Sequence, residues 1–265
     1  MYTDIKLIIA KQLNKVSARD LLTTLPDDVF IVSYPKSGNT WTRFLIGNLV
    51  SKIDKEVDFF NIEKIVPDIY QNSDRDLLKL ISPRYLKSHA CFNHRYKKVI
   101  YIVRDPRDVA ISMYFFYIKM NVIQPNVSME DFINGFIKGD SCAYGSWYEN
   151  VGSWLGGKKE NILLLRYEDL LSNGRKELIK IAEFLNIDYS DKLIGKALSS
   201  SDFENMRKLE KKQGESWKPL KNSKQDMYFM RSGKGKQWES SDYLKTNKNI
   251  WSEWSELMEK LGYDL

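Results

Sequence analysis

Hydrophobic positions along this 265-residue chain alternate between two periods. Residues 29–32 (Val-Phe-Ile-Val) form a short β-branched and aromatic run that suits a buried strand, and past residue 41 Phe44, Leu45, Leu49 and Ile53 recur at helical spacing. The pattern repeats downstream. Residues 84–89 read as a short strand and residues 98–103 as a strongly β-branched one. A helix through Ile111, Phe115 and Ile118 follows, ended by a polar, proline-containing stretch at 121–128. Residues 129–156 carry Phe132, Phe136, Trp147, Val151 and Trp154 and suggest further helices. Residues 162–165 suit another central strand, with Leu178, Ile181, Ala182 and Leu185 marking the helix after it.

At the N-terminal end Ile5, Ile8, Ile9, Leu13 and Val16 share one helical face, which predicts a helix over about 3–16 covering the domain edge. Trp251, Trp254, Leu257 and Leu261 predict a closing amphipathic helix. Strands alternating with helices imply a single α/β domain over residues 1–265, with a central parallel β-sheet flanked by helices. Two stretches break the rhythm. Residues 54–76 lose periodicity and gather charge, and residues 200–240, rich in Lys, Ser and Gly, read as an ordered loop whose part from about 207 to 240 is a flap.

Composition adds bounds. With 43% hydrophobic and 13% aromatic residues the chain can bury a sizeable core without disulfide or metal. The net charge of +6 comes from 41 basic against 35 acidic residues, a mixed surface that favours a small anionic ligand slightly and nucleic acid hardly at all. Cys91 and Cys142 form no CxxC pair and have no spaced histidine partners, which favours a reduced compartment. The apolar run at residues 7–10 is too short for a signal core, and no stretch approaches a membrane span. A soluble, cytoplasmic protein without membrane association is expected.

The loop between the first strand and its helix is Tyr34-Pro35-Lys36-Ser37-Gly38-Asn39-Thr40-Trp41. A helix start has unpaired N–H groups and the positive end of its dipole, so an anion is held there without dedicated side chains. Gly38 permits close approach, Lys36 adds a charge, and Ser37, Asn39 and Thr40 offer neutral donors. This is a P-loop-like phosphate cradle. It is not the Walker loop, since Lys36 precedes the only glycine.

A second strand-to-helix junction follows residues 98–103, with Asp105 as N-cap, Pro106 at the first helical position and Asp108 in the first turn. Arg104 ends the strand at the edge where open α/β sheets bind ligands, and Ser112 lies on the following helix. Guanidinium forks match phosphate oxygens, so the two form a candidate second phosphate site. A helix-capping arginine paired with Asp105 or Asp108 is the competing reading.

These segments resemble those of the cytosolic-type sulfotransferases. The loop at 34–41 resembles their 5′-phosphosulfate loop, with Asn39 where Thr is usual, and residues 97–108 resemble their 3′-phosphate motif. Phe229-Met230-Arg231-Ser232-Gly233 through Trp238 resembles the late segment that closes over the same phosphate, with Ser232 in place of a lysine. Lys87-Ser88-His89 resembles the Lys-Thr-His that carries the catalytic base. Residues 144–148, 166–169 and 201–204 have counterparts in the same order.

The resemblance implies a sulfotransferase fold and transfer of a sulfonate group from 3′-phosphoadenylyl sulfate (PAPS) to a hydroxyl or amine nitrogen of a small acceptor, leaving 3′-phosphoadenosine 5′-phosphate (PAP). It implies His89 as base, Lys36 stabilising the leaving oxygen, Lys87 neutralising sulfonate oxygens and Ser37 holding Lys36 aside. Trp41 and Phe203 would sandwich the adenine, and Tyr167 and Ser201 would bond its edge. Lys234 or Lys236 is a candidate substitute for the missing lysine, and His94 reads as structural. No metal is expected, since no carboxylate cluster sits beside the loop.

The acceptor is where the chain is least explicit. Residues 54–76 hold seven acids against three bases, and the resemblance places part of the acceptor pocket there. A solvated acidic loop is one reading; a pocket in which Asp68 and Asp74, near Tyr70, select a cationic acceptor opposite Phe115, Phe116 and Tyr148 is the other. The resembling family often has a dimer motif after the flap; here Glu239, Tyr243, Leu244 and Lys248 occupy it with charges reversed, so a monomer or weak homodimer is expected. The alternatives are a kinase-like phosphotransferase, which should show a Walker loop, and a nucleic-acid-binding module, which lacks a recognised motif.

Overall fold

The computed structural model describes residues 22–51, 55–157 and 161–264. The helix expected over 3–16 lies outside them. In chain order the α/β frame begins with β1 (Val29–Ser33), α1 (Asn39–Val50), the one-turn helices α2 (Ile62–Ile65) and α3 (Asp74–Leu77), β2 (Tyr85–Ser88) and β3 (Lys98–Val103). It continues with α4 (Pro106–Lys119), α5 (Met129–Ile137), α6 (Trp147–Gly156), β4 (Ile162–Arg166), α7 (Tyr167–Ser172) and α8 (Gly174–Leu185). The remaining helices are α9 (Asp191–Ser200), α10 (Phe203–Gln213), α11 (Asp242–Thr246) and α12 (Ser255–Lys260), interspersed with short 3₁₀ turns.

The four strands pair in the order β2-β1-β3-β4, all parallel, with Val29 opposite both Tyr85 and Lys98. Every residue of β1 is buried, as a central strand covered on both faces requires. The pleat sends alternate residues to opposite faces. Phe30, Val32, Val99, Tyr101 and Val103 therefore join a core with α4, α5, α6, Trp251 and Trp254. Val29, Ile31, Ile100 and Ile102 join another with α1, α8 and α9. Below the strands Arg84 is fully buried and clamps Asp28 through Nε at 2.7 Å and Nη2 at 2.6 Å, while its carbonyl accepts from the Val29 amide. That pair ties the start of β2 to the start of β1.

The expected strands are all present, and four helical boundaries differ. The helix after β4 breaks at Asn173, so Tyr167 opens α7 at the carboxyl edge of the sheet. Residues 191–200 form a helix that the weak apolar pattern there does not announce. The stretch from 200 to 240 begins with α10, capped by the Asp202 side chain on the Asn205 amide, before turning irregular. The closing segment starts as a 3₁₀ turn over Lys248–Trp254 and is α-helical only over Ser255–Lys260. Asp105 caps α4 as expected, accepting from the Arg107 amide.

Candidate active site

The carboxyl ends of β1 and β3 are adjacent in the sheet, so the loops leaving them converge. Gly38 has φ +96°, and a Cβ there would lie 2.5 Å from the Tyr167 ring, so only glycine lets loop and ring meet. Lys36, with φ +70°, also takes the left-handed conformation. Ser37 is buried, and its Oγ has no partner among the described residues. The expected contact in which Ser37 holds Lys36 aside is thus not made. Instead the Lys36 ammonium lies between the Phe116 and Phe229 rings, 4.1 Å from each centroid. Burial and, secondarily, Arg104 lower its pKa to about 7.

Asn39 does not offer its amide outward: Nδ2 donates to the Ile31 carbonyl and the Ser33 hydroxyl, pinning the loop to β1. Thr40 and Trp41 line the cavity. The Trp41 indole donates to the Ser201 carbonyl at 2.8 Å and meets Tyr167 edge-on. The Ser201 hydroxyl accepts from Asn48, so its backbone, more than its side chain, faces Trp41.

Arg104 serves both readings of its sequence context. It pairs with Asp108 at 3.3 Å, while Asp105 is occupied by Arg107. Its other contacts are the carbonyls of Lys36 and Lys234, and its guanidinium stacks 4.3 Å over Tyr167. Its buried Nε has no partner among the described residues. The arginine therefore joins phosphate loop, α4 and flap at one point, with Ser112 lining the cavity beside it.

The flap from Phe229 to Trp238 is held by side chains from other elements. Asp108 accepts from the Trp238 amide, and Gly233, φ +63°, packs so tightly that a Cβ would lie 2.3 Å from Phe203. Met230, Arg231, Ser232 and Gly233 line the cavity; Arg231 stacks 4.5 Å over Phe115 and bonds Gln237. Lys236 faces Glu239 at 3.6 Å, and the Lys234 contact to Arg104 is through its carbonyl. Neither lysine is among the residues that line the cavity.

His89 follows β2. Its Nδ1 lies 2.7 Å from the Ser33 carbonyl, an acceptor only, so Nδ1 carries the proton and Nε2 keeps its lone pair. Burial, then the charge of Lys87, holds its pKa well below the usual imidazole range. The Lys87 ammonium pairs with Asp68 at 2.8 Å inside the protein. A cavity of about 380 Å³ runs from the phosphate loop to His89 and on to Asp68, Tyr70 and Phe116.

Three expected acceptor-pocket residues lie elsewhere. Asp74 accepts from the Thr23 amide and hydroxyl at the surface, because it opens the short helix α3 and its carboxylate faces outward. Tyr148 is 41% exposed and stacks on Trp254, and Phe115 lies under Arg231. Asp68 does face the cavity, but Lys87 neutralises it, so it is no bare carboxylate awaiting a cation. The cavity also takes in Met113, Tyr144, Trp217, Pro219 and Leu220, none of which the sequence pattern marks as a site residue. Trp217 carries a weak signal, an aromatic within a stretch otherwise poor in apolar residues.

A strand-to-helix loop after β1 and an arginine after β3 open on one cavity at the carboxyl edge of the sheet, where α/β proteins commonly hold ligands and where a helix start suits an anion. A family profile for the sulfotransferase domain matches residues 26–259, and the chain belongs to that family. Among curated relatives it is 34% identical over 197 residues to sulfotransferase 1E1 of Bos taurus, a match covering 69% of this chain and 66% of that one. It is 35% identical over 205 residues to sulfotransferase 1E1 of Homo sapiens, covering 69% and 67%. The matches thus span about two thirds of the length of these relatives. Mouse sulfotransferase SULT7A1, solved in complex with PAP, superposes with TM-score 0.72 at 25% identity, covering 92% of this chain and 88% of that one. A retinol dehydratase structure shares the fold at TM-score 0.70 and 21% identity, covering 92% and 84%. No helix among the described residues is long and apolar enough to cross a membrane.

Proposed function

We propose that the protein transfers a sulfonate group from PAPS to a hydroxyl or amine nitrogen of a small-molecule acceptor. The residues present fit that donor. Ser37 Oγ on the loop after β1 and Arg104 Nε after β3 are buried polar atoms without partners among the described residues, as donors reserved for ligand oxygens would be. Trp41 and Tyr167 line the same cavity, Trp41 as a ring for the adenine to stack on and Tyr167 as a partner for its edge, whereas Phe203 is covered by Gly233 and does not line it. When bound, the donor supplies an activated sulfonate on a phosphate leaving group.

The observation that carries the reading is His89, anchored through Nδ1 on Ser33 and lying in one cavity with Lys36. His89 Nε2 takes the acceptor's proton as its oxygen or nitrogen attacks sulfur. The Lys36 ammonium lies beside the developing charge on the bridging oxygen, a stabilisation worth roughly 3 kcal/mol per donor in comparable sites. Lys87, which lines the cavity and is paired with Asp68, supplies positive charge for the sulfonate oxygens. A screen of phenols, alcohols and amines with labelled PAPS tests the assignment; absence of transfer by a protein that binds PAP tightly would overturn it.

A further inference from the structure

The flap residues Phe229 and Met230 are fixed by a side chain from α10. Glu210 is buried, and its two carboxylate oxygens accept from successive amides, Phe229 N–H at 2.5 Å and Met230 N–H at 2.8 Å. A carboxylate engaged by two adjacent backbone donors sets both position and orientation of the chain it grips. The Phe229 ring that results forms one wall of the cage around Lys36, with Phe116 meeting it edge-to-face at 5.8 Å as the adjoining wall and Trp217 edge-on to it at 5.7 Å. Around Lys36 the charged or titratable neighbours are Arg104, Arg231, Lys119 and His89, and Glu210 is the carboxylate set against them.

The geometry points to Glu210 as a positioning residue of the donor site: its carboxylate latches the flap backbone that carries Phe229 against Lys36. This rests on the sulfonate-transfer reading above and names a residue outside the motifs that led to it. A bare carboxylate beside a polyanion would repel it. Here both oxygens are engaged by amides, and Lys36 and Lys119 offset the charge. Burial brings Lys36 down to about 7, and Glu210 acts in the opposite direction. Its removal therefore moves the loss of the Lys36 charge to lower pH.

The test is calorimetry of PAP binding across the neutral pH range, with wild type, Glu210→Gln and Glu210→Asp. In Glu210→Gln one amide loses its acceptor and the charge is gone, so affinity falls about ten-fold or more, and the pH above which binding weakens moves downward. Glu210→Asp keeps the charge on a shorter arm: affinity falls while that pH stays. Wild-type affinity in Glu210→Gln, or a weaker affinity with an unmoved pH dependence, overturns the inference. Should Glu210→Gln fail to fold by circular dichroism, wild-type affinity in Glu210→Asp overturns the latch. A wild-type protein that does not bind PAP at any pH overturns the proposed function and this inference together, whereas normal wild-type binding with unaffected variants removes this inference alone.

Discussion

The Nδ1 of His89 lies 2.7 Å from the Ser33 carbonyl, so the imidazole that ends β2 is oriented by the strand paired with it. Ser33 lies just ahead of the loop at 34–41, and the imidazole and that loop are thereby fixed to one strand end. His89→Ala should lower the transfer rate by ~100-fold or more while leaving PAP affinity near wild type. Because the folded pKa of His89 lies well below the ordinary value, Nε2 is unprotonated at neutral pH. The acid limb of the rate profile should fall below pH ~6.5, the ordinary imidazole value. A limb above that value, or a variant retaining a tenth of the rate, would remove His89 as base.

On the proposed reading Lys36 and Arg104 hold opposite ends of the donor, so Lys36→Ala and Arg104→Ala should each weaken PAP binding in calorimetry. Lys36 carries the pH dependence. With its pKa near 7 in the free protein, it loses its charge as pH rises through that value, and PAP affinity should fall on the alkaline side. Undiminished affinity in alkaline solution, or in the Arg104 variant, would detach the corresponding residue from the phosphates.

Much of this site is legible in the sequence because its chemistry sits at strand ends, where an apolar run stops and a loop of small and charged residues begins. The cradle at 34–41, Arg104 and His89 are such positions, and the apolar runs mark the strands that carry them to within about a residue. What pattern does not reveal is which partner a side chain finds across the fold. Asn39 turns back to Ile31, Asp68 is met by Lys87 and Ser37 is left alone among the described residues. The Asp68–Lys87 pair depends on a loop docking beside β2, and Asn39 folds back on its own strand, a local choice that the residue pattern leaves open. The same holds for Glu210, in a stretch expected to be an ordered loop, where it lies on α10 and accepts from the Phe229 and Met230 amides. Phe115 and Phe116 show a finer limit: adjacent rings on α4 diverge, one beneath Arg231 and the other beside Lys36.

Stability should depend on the buried pair beneath the sheet. Asp28→Ala leaves the Arg84 guanidinium uncompensated at a fully buried position and removes the acceptor for the Leu25 amide. The expected loss is about 3 kcal/mol or more in urea unfolding, since breaking one side of a buried pair strands the other charge. A change under ~1 kcal/mol would mean that water reaches Arg84.

Assembly should be weak. Glu239 is engaged by Lys236 of the same chain, and Leu244 is buried against its own core. Light scattering is expected to give a monomer or a dimer that dissociates on dilution; a tight dimer disrupted by Glu239→Lys would overturn this.

The acceptor prediction turns on the difference between two aspartates that look alike in sequence. Asp74 holds the Thr23 backbone at the surface, so Asp74→Asn should leave the specificity constant unchanged for neutral and cationic alcohols alike. Asp68 faces the cavity with both oxygens engaged, one by the Tyr70 amide and the other by Lys87, so its charge is already compensated. A cation entering the pocket meets an ion pair, not a free carboxylate, and gains little over its neutral counterpart. Asp68→Asn releases the Lys87 ammonium and leaves it the uncompensated charge at the cavity wall, which should penalise cationic acceptors relative to neutral ones. Matched neutral and cationic acceptors, compared by kcat/KM in wild type and both variants, separate these effects. A strong wild-type preference for the cation that Asp68→Asn abolishes without penalising it further would mean that Asp68 greets the acceptor directly and that Lys87 lets go when it arrives.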